Sequence, residues 1–495
     1  MLNLTPTHYL SAAAGLALIL IARARAGAKK HRNHPLIIHI PPAEMYSNPR
    51  EAYETAMREH GPVIAVQRRR NLEFILDEAL IPQLFTHPSF SFEEAIATIL
   101  NLRPFVTAFK GFFRGIDDLV QVGINSALDS MLERMCPVFV RSAQKALDEK
   151  EVIDLFHYAH TSIAEAMMVV IFGETLKRTD EKTVKAVTDI ATDLAELTGI
   201  YLNSSWLGRH FPSVFNTLAW IRVTCTSVQR FFRIIGPPVW HRLRSRKWIR
   251  NPDDAPTSAL EYMAFKHAAA DGTIGIPAYL QIMSLLMGVT FASVHQTRVA
   301  SVAVWVVFEI ASRPEYLAKL RAEAHAQANV DPITHELDPS TIAHAVQPSS
   351  APLIDAFIRE VMRTKGDTLS LCRRTTADLD IGGYTIPGGS LVFPLATIPH
   401  FNERTYPEPA TFRPERWMEG GAQRPAVMTS ANYLAFGMGR WACPGRILAV
   451  CEIKMIVWSL ILKATPRLVG GGYKIVDPLN VTSVPPDGQL ILDPL

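Results

Sequence analysis

The apolar positions of the chain change period several times, and each change predicts an element. Tyr9 to Ala22 is apolar apart from Tyr9 and Ser11. Glu51 to His60 has the helical period and stops at Gly61-Pro62, a pair that breaks helices. Val63 to Val66 and Leu72 to Ile75 read as the strands of a hairpin, with Arg68-Arg69-Arg70 near its turn. From about residue 115 to 330 the period is mostly helical. Within this stretch, Pro277 to Ala311 predicts one helix of roughly 50 Å at ~1.5 Å per residue, apolar almost all round and therefore buried. Its apolar run is interrupted by one polar island: Ser293, His295, Gln296, Thr297 and Arg298. His325 to Pro352 is polar and proline-bearing, as expected of a surface connector. Leu353 to Thr364 is helical, with Leu353, Phe357, Val361 and Thr364 on one face. After Asp380 the texture turns to short strands with Gly and Pro turns, until a last helix over roughly Gly445 to Ala464. No internal repeat appears. The pattern predicts a mainly α chain with small β-sheets in one large domain.

The amino-terminal apolar run is followed at once by Arg23, Arg25, Lys29, Lys30 and Arg32, and no Lys or Arg precedes it. This asymmetry predicts a retained membrane anchor over residues 1–22, with the rest of the chain on the cytoplasmic side. Residues 23–42 follow as a basic, Pro-containing linker, stiffened by Pro35, Pro41 and Pro42, and residues 43–495 form the main body.

Composition adds bounds rather than a function. Nearly half of the 495 residues are hydrophobic, and 50 basic residues stand against 47 acidic ones. Such a balance gives no global pull toward nucleic acid. The cysteines, Cys136, Cys225, Cys372, Cys443 and Cys451, are odd in number and have no metal-ligand spacing. A disulfide framework is not expected, and four of them read as small buried hydrophobes.

Cys443 differs because of its surroundings, Phe436-Gly437-Met438-Gly439-Arg440-Trp441-Ala442-Cys443-Pro444-Gly445-Arg446. Gly437 and Gly439 permit a tight turn that aims amide N–H groups at the sulfur. Pro444 suits the first position of a helix, which would place the sulfur at that helix's positive end and favour thiolate. Gly445 leaves room for a large flat ligand, and Arg440 is placed to meet an anionic group.

This run resembles the haem-binding loop of the cytochromes P450, in which Phe, two Gly, Arg, Cys and Gly hold the same relative positions. The resemblance covers the chain from about Pro35 to its end. Two further segments carry it: Glu360 and Arg363, at the spacing of a Glu-x-x-Arg helix, and Phe412-Arg413-Pro414-Glu415-Arg416-Trp417, like a segment whose Arg joins that pair. It implies a P450-like fold with haem b between the long central helix and the cysteine loop. It implies Cys443 as the axial metal ligand, Phe436 packed beside the thiolate, and Arg440 inward on a propionate. Glu360, Arg363 and Arg416 would form a structural ion cluster. Arg373 or Arg374 would hold a propionate, the choice being open.

Ala292-Ser293-Val294-His295-Gln296-Thr297 resembles the central-helix motif of the same family, with His at the usual acidic position as in fungal members that tailor terpenoids. Ala292, His295, Gln296 and Thr297 would line the oxygen side. The departure is Gln296, which stands where the usual proton-relay Thr is expected. Either Gln296 with a water serves the relay, or Thr297 does so through a local distortion, or the enzyme does not depend on ordinary oxygen scission. A second departure is that no Trp or His followed four residues later by Arg is found between Gly115 and Cys136.

The resemblance implies a monooxygenase anchored in the endoplasmic reticulum membrane with its body in the cytosol. It would act on a hydrophobic secondary metabolite of terpenoid type, with O2 and electrons from an NADPH-cytochrome P450 reductase. Arg446 and Lys454 are the expected contacts for that partner. A haem enzyme that desaturates, rearranges or couples without net oxygen insertion, and a non-catalytic haem or electron-transfer protein, are the alternatives.

Overall fold

The computed structural model describes residues 33–68, 71–148, 153–176, 181–195, 206–249, 256–295, 298–421 and 423–495. The expected anchor 1–22, residues 23–32 of the linker, Arg69, Arg70, Gln296 and Thr297 lie outside the described residues.

A six-stranded sheet lies toward one end of the chain's path. It contains β1 (Ile37–Ile38), β2 (Val63–Arg68), β3 (Asn71–Leu76), β4 (Phe90–Ser91), β5 (Arg373–Thr375) and, beyond the small hairpin β6 (Leu379–Ile381) and β7 (Tyr384–Ile386), β8 (Leu391–Pro394). The order is β1-β2-β3-β8-β5-β4. The expected hairpin is β2 and β3, paired antiparallel from Val63 opposite Leu76 to Arg68 opposite Asn71. β1 adds in parallel to β2, so the last residues of the expected linker are built into the body. Asn33 and His34 bond the backbone of Gly383 and Thr385 and hold this edge down. A third small sheet pairs β9 (Ala464–Leu468) with β10 (Leu490–Pro494).

The rest is helical around one large apolar core. At its centre α1 (Leu155–Phe172) and α2 (Arg298–Ala311) pack together, with α3 (Pro352–Thr364) and α4 (Arg446–Ile461) against the latter. Every residue of α2 from Ala300 to Ile310 is buried. The expected single helix Pro277–Ala311 has a break in its regular path: Ile276–Thr290 is α-helical, Phe291–His295 forms a π turn, and α2 begins at Arg298. Such wide turns interrupt helices at functional sites. The stretches 155–172 and 276–311 are long and apolar enough to cross a membrane, yet 67% and 44% of their apolar windows are buried within this protein.

Buried charges tie the elements together. The Glu360 carboxylate is fully buried and takes bonds from Arg363 at 2.7 and 2.9 Å, from Arg416 at 3.2 Å, from the Arg413 N–H at 3.0 Å and from the Trp417 indole at 3.0 Å. Arg363 also donates to the His400 carbonyl at 2.8 Å. The His400 ring in turn accepts the Leu434 N–H at 2.9 Å. A second buried pair, Asp355 with Lys454 at 2.7 Å, joins α3 to α4.

Lys454 is thereby corrected as a partner contact. It is completely buried, bonds Asp355 and the Gln347 carbonyl, and cannot reach another protein. The sequence hides this because α4 is buried on every side from Leu448 onward, including at Glu452 and Lys454.

Glu360→Gln keeps the shape but leaves two buried guanidinium groups under-compensated. It is expected to cost about 3–5 kcal/mol, read as a lower urea midpoint. His400 gives a pH dependence. Burial first, then Arg363 and Arg359, hold its imidazole down to about 3. An unfolded His titrates near 6.5, so between about pH 6.5 and 3 the unfolded chain binds a proton that the folded one refuses. This share of stability is present above about pH 6.5 and falls by roughly 1.4 kcal/mol per pH unit below it. His400→Gln should remove that part of the slope in urea midpoints taken across the acid range.

Candidate active site

The cysteine loop turns as its glycines require. Gly437 and Gly439 have φ of 76° and 70°, where a side chain is strained. A Cβ on Gly439 would also stand 3.4 Å from the Phe85 carbonyl. The turn is closed by Gly437 N–H to Leu434 O at 2.9 Å and by Cys443 N–H to Phe436 O at 2.8 Å. Phe92 stacks on Trp441 with centroids 5.1 Å apart, and the Asn125 amide donates to the Pro444 carbonyl at 3.3 Å. The following helix α4 begins at Arg446 with Gly445 as its cap, so Pro444 precedes the first helical turn rather than opening it.

Cys443 stands apart from the other described cysteines in the core. Cys136, Cys372 and Cys451 are buried, and burial pushes each thiol well up. Cys443 is enclosed by protein and burial raises its thiol too, yet its side chain keeps accessible surface. An enclosed residue with accessible surface faces an internal hollow. The Gly445 N–H donates to its sulfur, and Arg446 and Arg298 bring positive charge toward it, all of which favour thiolate. On the central helix Ala292 is accessible too, in the π turn between two buried stretches. Ser293 turns its hydroxyl back to the Val289 carbonyl at 2.7 Å. The backbone of His295 closes the π turn.

The structure separates Arg373 from Arg374. Arg374 pairs with Glu94 at 3.1 Å and bonds the Gly389 carbonyl at 3.0 Å. Arg373 is buried against the faces of Phe85 and Phe92, donates only to the Leu371 and Cys372 carbonyls, and has no carboxylate partner among the described residues. Burial lowers it to about 10, the mark of a cation without its counter-ion. Arg440 is 63% accessible, lies over Trp441, and approaches Asp117 only to 3.9 Å. It is thus open to an anion rather than turned inward and sealed.

Two features escaped the sequence. Leu371, next to Cys372-Arg373, has a left-handed φ of 61° and packs by the Gly437 turn. Nothing in its residue type signals this. Asp367 reaches back to Arg298 of the polar island, a contact between distant segments that no local pattern carries.

These features fit a flat, dianionic, metal-bearing ligand: an accessible sulfur inside the protein, a turn whose glycines put no side chains beside it, and, among the described residues, one arginine without a carboxylate and one no nearer than 3.9 Å to it. The comparisons agree. The cytochrome P450 family model matches residues 116–469, and the chain belongs to the cytochrome P450 family. Cytochrome P450 monooxygenase 103 of Postia placenta is 26% identical over 53% of this chain and 51% of its own. Cytochrome P450 monooxygenase paxQ of Penicillium paxilli is 31% identical over 38% of this chain and 36% of its own. The matches to these relatives thus span about half of their length or less. A retinoic acid-bound cyanobacterial cytochrome P450 has the same fold, with a TM-score of 0.65, 16% identity, and coverage of 94% of this chain and 100% of its own. Haem-thiolate chemistry is the general property of this family.

The contrast between the arginines sets a test. On the expectation that Arg373 meets a propionate, Arg373→Leu should lower the haem-to-polypeptide ratio several-fold, because the ligand's anion would lose its buried cation. Arg374→Leu breaks only a partly exposed pair and should leave the ratio unchanged.

Proposed function

We propose that this protein is a haem-thiolate monooxygenase that oxidises a hydrophobic secondary metabolite, of terpenoid type, with O2 and electrons from an NADPH-cytochrome P450 reductase. The observation that carries the reading is Cys443, accessible to an internal hollow and capped by the Gly445 N–H at the start of α4. Cys443 would be the axial ligand of haem b, with Phe436, Gly437, Gly439 and Gly445 shaping its bed and Arg373 and Arg440 holding the propionates. Bound there, the haem supplies oxygen activation, which a thiolate ligand promotes by pushing electron density toward the iron.

The chain's own residues do the rest. The Gly445 N–H stabilises the sulfur as thiolate. Ala292 leaves space over the hollow on the oxygen side, where His295, Gln296 and Thr297 would manage protons. The core-lining residues exclude bulk water, which favours an apolar substrate.

Membrane attachment is supported by a second feature besides the amino-terminal run. Val214, Leu218 and Ile221 are 48–55% exposed on one face of the helix Pro212–Val223, beside exposed Trp206 and Phe211. A helix face so apolar suits a lipid surface. The proposed location is the endoplasmic reticulum membrane with the body in the cytosol, a reading supported by the basic residues that follow the amino-terminal apolar run. Of the two expected contacts for the reductase, Arg446 remains available.

The test is isotope incorporation: co-expression with a reductase, lipophilic terpenoid extracts as feed, and labelled O2. A new product carrying heavy oxygen, absent with Cys443→Ser, is the expected outcome. A new product without label would instead mean desaturation, rearrangement or coupling.

A further inference from the structure

Buried positive charge accumulates around Trp417. The hydrogen bonds of the Glu360 cluster are complete, but its charges are not balanced: one carboxylate is set between two guanidinium groups, Arg363 and Arg416. A third guanidinium, Arg359, is 3% exposed and lies over the Trp417 and Tyr433 rings, 4.3 and 3.8 Å from their centroids. Among the described residues it donates to the carbonyls of Pro425 and Met428 and to no carboxylate, and its Nε is buried without a partner. The neighbouring carboxylate, Asp355, is paired with Lys454 at 2.7 Å. This part of the interior therefore holds more cations than anions.

A hollow of about 290 Å³ opens on the surface here, lined by Thr405, Tyr406, Arg413, Arg416, Trp417, Glu419 and Arg424. None of them belongs to the cysteine loop or to the central helix. Arg416 brings charge but no free donor, since its nitrogens are taken by Glu360 and by the carbonyls of Pro407, Glu408 and Thr411. Arg413 gives one terminal nitrogen to Glu419 at 3.1 Å, and its other terminal nitrogen makes no bond among the described residues. Arg424 is exposed. Its backbone N–H is held by the Trp417 carbonyl at 3.0 Å, and its guanidinium has no carboxylate partner among the described residues. The Thr405 hydroxyl accepts a long bond from Asn432 at 3.4 Å and keeps its own proton to donate.

Charges behind a protein wall are screened less than those in water, and a hollow with one sign of charge behind it concentrates the field. Glu419 is the one carboxylate among the lining residues, and Arg413 already holds it. Guanidinium forks match the oxygens of a phosphate. The hollow is larger than a bare phosphate ion, and Tyr406 and Trp417 supply an aromatic wall for a small organic body. We propose that it is a binding site for a small phosphate monoester, whose dianion takes its bonds from Arg424, Arg413 and Thr405. The site lies outside the Cys443 hollow, and the proposal does not rest on the haem-thiolate reading.

The test is calorimetric binding of inorganic phosphate and of glycerol 3-phosphate to the haem-loaded full chain at constant ionic strength. Saturable one-to-one binding of both is expected, with the ester at least as tight, and with no displacement by chloride. Arg424→Ala, an exposed change that leaves Glu360 and its donors untouched, should weaken binding roughly tenfold or more. Arg413→Gln should weaken it in the same direction. Arg467→Ala removes an exposed arginine of β9 outside the hollow and should bind as the wild type does. Lipid headgroups carry the same phosphate, so water-soluble dihexanoyl phosphatidic acid is the third probe. Much tighter binding of that lipid, lost in Arg424→Ala, would make the ligand a lipid and overturn the assignment to a small ester. No saturable binding of either phosphate, or equal affinity in the wild type and Arg424→Ala, overturns the site itself.

Discussion

The buried carboxylate of Glu360 is the point from which the site is held. It lies within α3, yet its bonds run to Arg363, Arg416, the Arg413 backbone and the Trp417 indole, so one helix is fixed to a loop some fifty residues further along the chain. The connection does not end there. Arg363 holds the His400 carbonyl, the His400 ring holds the Leu434 N–H, and the Leu434 carbonyl closes the turn at Gly437. A single relay of hydrogen bonds thus leads from the ion cluster to the loop that carries Cys443. The depressed basicity of His400 belongs to this arrangement, because only the neutral ring can accept from Leu434 while lying beside two guanidinium groups.

Burial of so many charges is costly unless each finds several partners. Glu360 meets that condition with a full set of donors, and Asp355 and Lys454 meet it by pairing across α3 and α4. Arg373 does not meet it among the described residues. The imbalance between a satisfied cluster on one side and a bare buried cation on the other is informative. The first is satisfied within the fold, and the second leaves a buried positive charge open to an anion.

Much of this was legible in the sequence, for reasons that can be named. The cysteine loop is a local motif: its glycines, arginine and cysteine are read in register, and the backbone angles at Gly437 and Gly439 are those such glycines allow. The hairpin of β2 and β3 and the helix α3 follow from period alone. What the sequence could not give depends on contacts between distant segments. Nothing local shows that Lys454 faces Asp355 rather than solvent, that Arg373 turns in while Arg374 turns to Glu94, or that Asp367 meets Arg298. The expected linker likewise ends as a sheet strand because its partner β2 lies beyond an intervening helix.

The polar island of the central helix changes meaning once these contacts are in place. Read along the sequence, Ser293 to Arg298 is a patch of polar residues that a buried helix ought not to carry. In the structure its two ends, Ser293 and Arg298, are accounted for separately. Ser293 returns its hydroxyl to the helix backbone, and Arg298 is neutralised by a carboxylate from the turn after α3. Around Ser293 the backbone widens into the π turn Phe291–His295, in which Ala292 is accessible. An anchored arginine on the far side of a widened turn fixes where the helix resumes its regular path. The same ion pair therefore ties the point where the helix resumes its regular path to the turn after α3, so the course of the central helix and that of the turn depend on one interaction.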